Sequence, residues 1–227
     1  MSEVDPYAKI AHALSGSMPS APGLRFECYA ALGDSFTAGT GSDPGQPWAD
    51  RVAHYLRAQN PDLMYRNFAM EGARSDQVLA QVPLALQLEP DLVTVVCGAN
   101  DALLSVRPDP LAYARNLGSI FRQLRHALPG VLVLTATSPE EWPFLGLRPR
   151  SAARFSRSIA RLNQVTRSVA TSYDVPCLEV VGAPGVTDAE NFCSDGLHPS
   201  PRGHARTAAA FAGLLASRAG DDQQEED

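Results

Sequence analysis

The chain has 227 residues, 44% of them hydrophobic, and no Gly/Ser-rich or Pro-rich linker divides it, so it reads as one domain with a full core rather than two small ones. Its formal charge of -6 is concentrated in the C-terminal "DDQQEED", where Asp221, Asp222, Glu225, Glu226 and Asp227 supply five acidic groups. A nearly neutral body excludes a basic field for nucleic acid and a polybasic membrane patch, and no run approaches the roughly 18 apolar residues of a membrane span.

Residues 1–24 form an N-terminal extension. It carries acids where a secretory signal needs basic residues, and Lys9, His12 and Gly16 break its apolar stretch, so a cytoplasmic protein is expected. Lys9 is the single lysine, a bias associated with GC-rich bacterial genomes. The domain should occupy 25–218, and 219–227, whose "DDQQEED" is acidic and without apolar side chains, should be a disordered tail.

Within the domain, strand-like apolar runs alternate with amphipathic segments. "LRFECYAAL" (Leu24 to Leu32) precedes a helical pattern over Trp48 to Ala58; "MYRNFA" (Met64 to Ala69) precedes one over Ser75 to Leu88. "DLVTVVCG" (Asp91 to Gly98), "VLVLTAT" (Val131 to Thr137) and "VPCLEVV" (Val175 to Val181) are followed by helical patterns over Pro110 to Leu128, Ala152 to Tyr173 and Pro201 to Arg218. Strands this apolar, separated by helices of crossover length, predict a five-stranded parallel sheet covered on both faces. Right-handed crossovers favour the doubly wound order 2-1-3-4-5, a three-layer α/β/α sandwich. Ser138 to Ser151 is Pro-rich and is expected to be an irregular loop at the functional edge. Cys28, Cys97 and Cys177 lie in strand-like runs, where buried reduced thiols are expected and disulfides are not.

Ligands of open parallel sheets bind beyond the carboxyl ends of the strands, near the point where strand order reverses. "GDSFTAG" follows the first strand, "EGARS" the second and "CGAND" the third, so Ser35 should lie between Gly72 and Asn100, while "DGLHP" brings Asp195 and His198 to the same edge. Acyl transfer uses these residue types. A serine hydroxyl attacks well only when an imidazole takes its proton, and the imidazole needs a third group to fix its tautomer. The backbone N–H groups of Ser35 and Gly72 and the Asn100 amide could serve a developing oxyanion.

Taken singly, each signal has a plainer explanation. Gly-Asp-Ser is ordinary turn and cap material, Asn100 could belong to an Asx turn, and Gly72 could mark a helix entry. Asp34 reads as a turn-stabilising carboxylate. His204, six residues after His198, reads as a helix-surface residue. Cys193, Asp195 and His198 do not match a standard zinc ligand spacing, and no dinucleotide or phosphate loop is present, so neither a metal nor an organic cofactor is expected.

Together, "GDSFTAG" (Gly33 to Gly39), "NFAMEGA" (Asn67 to Ala73), "GAND" (Gly98 to Asp101) and "DGLHP" (Asp195 to Pro199) make the chain resemble the SGNH hydrolases, also called the GDSL esterase/lipase family, from Arg25 to about Leu215. The resemblance implies their flavodoxin-like fold, Ser35 as nucleophile, His198 as base, Asp195 as its partner, and Ser35, Gly72 and Asn100 as oxyanion donors. It also implies a serine ester hydrolase working on a small-molecule ester through an acyl-enzyme. An acyltransferase using an alcohol acceptor, or a non-catalytic binding module, would carry the same motifs. Ala38 departs from the family, many of whose members have an acidic residue there. Trp142, Phe144 and Leu145, beyond the fourth strand, are candidates for an acyl pocket. Oligomeric state is not encoded in any of these features.

Overall fold

The computed structural model describes residues 25–225, with side chains through Arg218; the N-terminal extension lies outside it. Five parallel strands, β1 (Cys28–Gly33), β2 (Met64–Asn67), β3 (Leu92–Val96), β4 (Leu132–Ala136) and β5 (Cys177–Leu178), pair in the order β2-β1-β3-β4-β5. The helices are α1 (Ser35–Ala38), α2 (Trp48–Arg57), α3 (Ser75–Leu79), α4 (Val82–Leu86), α5 (Ala99–Leu103), α6 (Pro110–Ala127), α7 (Pro149–Ser172) and α8 (Pro201–Glu225). The architecture is the expected doubly wound sandwich.

The two-residue period of the strands divides the core into two layers. Ala30 and Leu32 of β1 and Val93 and Val95 of β3 point to one side, where they meet Val78, Phe121, Phe155 and Ile159. Tyr29 and Ala31 point to the other side, with Leu134, Leu178, Trp48 and Phe211. Trp48 of α2 stacks on Phe211 of α8 at 4.5 Å between ring centroids, joining the two helices that cover that face.

Several elements differ from the sequence-based expectation for identifiable reasons. The pattern over Ser75 to Leu88 is two short helices, with Pro83 at the start of the second and the Gln81 side chain drawn away to the Gly33 backbone. β5 is two residues long: it lies at the sheet edge, and Pro176 just before it has no N–H to donate. Cys177, on that edge, is only half-buried, whereas Cys28 and Cys97 are buried, and all four cysteines are free. Helix α7 begins at Pro149 and takes the last residues of the expected loop. Residues 219–225 continue α8 as helix where composition suggested a disordered tail; adding polar residues to an existing helix needs no new nucleus. Among the described residues no helix is long and apolar enough to cross a membrane.

Candidate active site

The turn after β1 is built by two caps. Asp34, buried, is the N-cap of α1 and accepts from the Phe36 N–H at 3.0 Å. Gly39, in the left-handed region at φ 92°, closes the helix by donating to the Ser35 carbonyl. The Asn67 amide donates to the Thr37 carbonyl at 2.7 Å and holds the turn against the end of β2. Ser35 is thereby fixed at the carboxyl edge of the sheet.

Residues 192–199 return on themselves. Phe192 and Pro199 form an antiparallel bridge, the Cys193 N–H donates to the His198 carbonyl at 2.8 Å, and Gly196 donates to Cys193 at 2.9 Å. Asp195 and His198 stand on the tip of this loop. One carboxylate oxygen, Asp195 Oδ1, accepts the backbone N–H groups of Leu197 and His198 at 2.9 and 3.0 Å. The other, Oδ2, lies 2.6 Å from His198 Nδ1, and His198 Nε2 lies 3.1 Å from Ser35 Oγ.

An ionised carboxylate can only accept, so Nδ1 carries the imidazole proton and Nε2 presents its lone pair to the Ser35 O–H. Desolvation pushes the Asp195 carboxyl upward, but the His198 hydrogen bond and the two backbone donors outweigh it and leave the group below its ordinary value. Asp195 therefore remains a carboxylate that can stabilise an imidazolium.

Three donors on the loops after β1, β2 and β3 keep a hydrogen without a protein acceptor among the described residues. Gly72, exposed, has φ 72°, a conformation that disfavours a side chain, and a Cβ there would project into open space. Among the described residues, neither its N–H nor that of Ser35 has an acceptor. Asn100, 8% exposed, donates one amide hydrogen to the Ala73 carbonyl at 3.0 Å, which leaves the second for a ligand. The donor loop is fixed from behind by Asp101, which accepts from the Ser75 N–H at 2.9 Å and the Ser75 hydroxyl at 2.6 Å; Asn116 donates to that hydroxyl at 3.0 Å.

Sequence reasoning did not assign Asn67, Ser75, Gln81, Asp101 or Asn116. Asp101 stood next to Asn100 in "GAND", but its partner is 26 residues away and nothing local points to it. His204 is fully buried, not on the helix surface: Nδ1 accepts from the Trp48 N–H at 3.3 Å, and desolvation pulls its pKa down to about 4. Trp142 is buried, donates to the Pro139 carbonyl at 2.8 Å, and packs edge-on against Phe36 at 5.6 Å and Phe192 at 5.8 Å. Phe144 is 44% exposed and Leu145 half-buried. No group of three or more His, Cys, Asp or Glu side chains converges to hold a metal among the described residues.

The fold is shared with several solved hydrolase structures. The chain superposes on the lipase/acylhydrolase from Enterococcus faecalis with a TM-score of 0.68 at 24% identity, covering 86% of this chain and 97% of that one. It superposes on TesA with a TM-score of 0.66 at 24% identity, over 83% of this chain and 97% of that one. The psychrotrophic esterase EstA from Pseudoalteromonas, in a form inhibited by monoethylphosphonate, matches with a TM-score of 0.60 at 18% identity, over 82% and 94% of the two chains. No curated protein matches by sequence. Residues 31–206 match the model of the GDSL-like lipase/acylhydrolase family, and the span holds all the residues that meet at this edge of the sheet. The chain belongs to that family, the GDSL or SGNH hydrolases, and is an ester hydrolase of the flavodoxin-like fold.

Proposed function

We propose that this protein cleaves carboxylic esters through a covalent acyl-enzyme on Ser35. The observation that carries the reading is the continuous hydrogen-bonded line from Asp195 Oδ2 through His198 to Ser35 Oγ, 2.6 and 3.1 Å in its two links. Ser35 Oγ attacks the ester carbonyl as its proton moves to His198 Nε2. The carbonyl oxygen becomes an oxyanion held by the N–H groups of Ser35 and Gly72 and the free hydrogen of the Asn100 amide. The imidazolium, stabilised by Asp195, then gives its proton to the departing alkoxide, leaving an ester on Ser35. Water deprotonated by the same Nε2 attacks that ester, and collapse of the second oxyanion releases the acid and restores the hydroxyl.

Several features support hydrolysis. The Asp195 side chain is 49% exposed and Gly72 is exposed, so the site is open to water. The relative EstA is inhibited by monoethylphosphonate, a reagent suited to a nucleophilic hydroxyl. The test is hydrolysis of p-nitrophenyl acetate by the native protein and Ser35→Ala side by side. Release of p-nitrophenol by the native protein, with loss of at least a thousandfold in the variant, is the expected result. Equal rates would overturn the reading.

A further inference from the structure

Helix α8 does not close fully onto the sheet. Between its first turns and the ends of β3, β4 and β5 lies a cavity of about 140 Å³ whose surface is mostly apolar, with Val96, Ala136, Leu178, Ala210 and Phe211 in its wall and Glu179 and Arg206 among its polar lining. Toward the surface it reaches Ala183 and Val186, half-buried in the loop after β5. Asp34, Phe36 and Pro199 also line it. Asp34 and Phe36 flank Ser35 in the chain, and Pro199 follows His198, so the lining includes chain neighbours of both the hydroxyl and the imidazole. Phe36 is the shared wall. Its ring lines the cavity and lies 6.4 Å from the His198 ring.

A void lined by aliphatic and aromatic groups leaves those atoms without packing partners, and hydrocarbon placed there regains the lost contacts. A dry apolar cavity of roughly 150 Å³ accepts a benzene-sized group of about six carbons. The loop Trp142 to Leu145 offers no comparable space: Trp142 is packed behind Phe36 and Phe192, and Phe144 is exposed. We propose that the cavity beneath α8, entered past Phe36, receives the acyl chain of the ester and makes the protein selective for linear acyl groups of about six carbons. The proposal rests on Ser35 being the acylated residue. It places the hydrocarbon between sheet and helix and leaves the alcohol portion at the open face beside Gly72.

The test is kcat/KM for p-nitrophenyl acetate, butyrate, hexanoate and octanoate, measured on the native protein, Ala210→Phe and Leu178→Ala. In the native protein the value should rise roughly fourfold per methylene through hexanoate and then stop rising. Ala210→Phe, which fills the cavity, should lower the hexanoate-to-acetate ratio at least tenfold. Leu178→Ala, which enlarges it, should extend the rise to octanoate, and so gives an independent reading should the larger substitution disturb folding. An active native protein with a flat profile, or variants that leave the profile unchanged, would overturn the cavity assignment alone. A folded native protein inert to every ester and unlabelled by a phosphonate would overturn the Ser35 reading and the assignment with it.

Discussion

Gly196 rests directly on the backbone carbonyl of Phe144: a Cβ at position 196 would overlap that oxygen and its carbon, and the residue has φ 68°. The loop after β4 and the loop that carries Asp195 and His198 are thus locked by a contact only glycine permits. Gly196→Ala must displace one of them while also forcing a side chain into the left-handed region. It should lower kcat for ester hydrolysis at least tenfold and lower Tm by several degrees, read by steady-state kinetics and thermal melting. Gly45, also at positive φ but with no atoms near its Cβ position, is the control, and Gly45→Ala should leave kcat within about twofold.

Asp195→Asn keeps the size of the side chain and removes its charge. The two backbone donors at Oδ1 can still hold an amide oxygen, which leaves the NH2 facing His198 Nδ1 and favours the wrong imidazole tautomer. A loss of roughly 10³- to 10⁴-fold in kcat with little change in KM is expected. A loss below tenfold would mean that Asp195 does not set the state of His198.

Asn100→Ala removes an oxyanion donor and should cost roughly 10²- to 10³-fold in kcat. Asp101→Asn acts one step back. It weakens the hold on Ser75, and so on the Gly72 to Arg74 loop, without touching substrate. Its expected cost is about tenfold, again in kcat and not in KM, and Asp101→Glu should not restore it because the two Ser75 bonds depend on the shorter reach.

Burial pushes the Asp34 carboxyl up to about 7 from 3.8, more strongly than the Phe36 N–H draws it down. A raised pKa means that the folded protein binds this proton more tightly than the unfolded chain does. The resulting stability is complete below 3.8 and is lost as pH rises through about 7. Asp34→Asn keeps an acceptor for Phe36 and removes the titration. Relative to the native protein, the variant should therefore gain on the order of 2–4 kcal/mol between pH 4 and 8, seen in urea unfolding at the two values. A native-minus-variant difference that does not change with pH would contradict this.

The sheet was legible because β1, β3 and β4 are nearly continuous apolar runs, and the strand order then dictated which loops meet. Ser35, Gly72, Asn100, Asp195 and His198 follow from that order, and the structure links three of them directly, Asp195 to His198 at 2.6 Å and His198 to Ser35 at 3.1 Å. What escaped was held by longer-range relations. Gln81 satisfies both backbone groups of Gly33 from 48 residues away, and no pattern near either residue signals the pair. His204 lies on a helix whose buried face depends on where α2 packs, so its position along the chain alone did not reveal that it would be buried. Cavities leave no periodic trace in a sequence: the aromatic residues of the loop after β4 stand out there, whereas Ala136, Leu178 and Ala210 do not.

The central claim is that Ser35 becomes acylated, and the most direct test is mass spectrometry of the protein after reaction with a p-nitrophenyl alkylphosphonate. The expected result is one phosphonyl group per chain, on the peptide containing Ser35, appearing in step with loss of esterase activity and absent from both Ser35→Ala and His198→Ala. A folded, active protein that remains unlabelled, or that carries the group on another residue while keeping its activity, would contradict it.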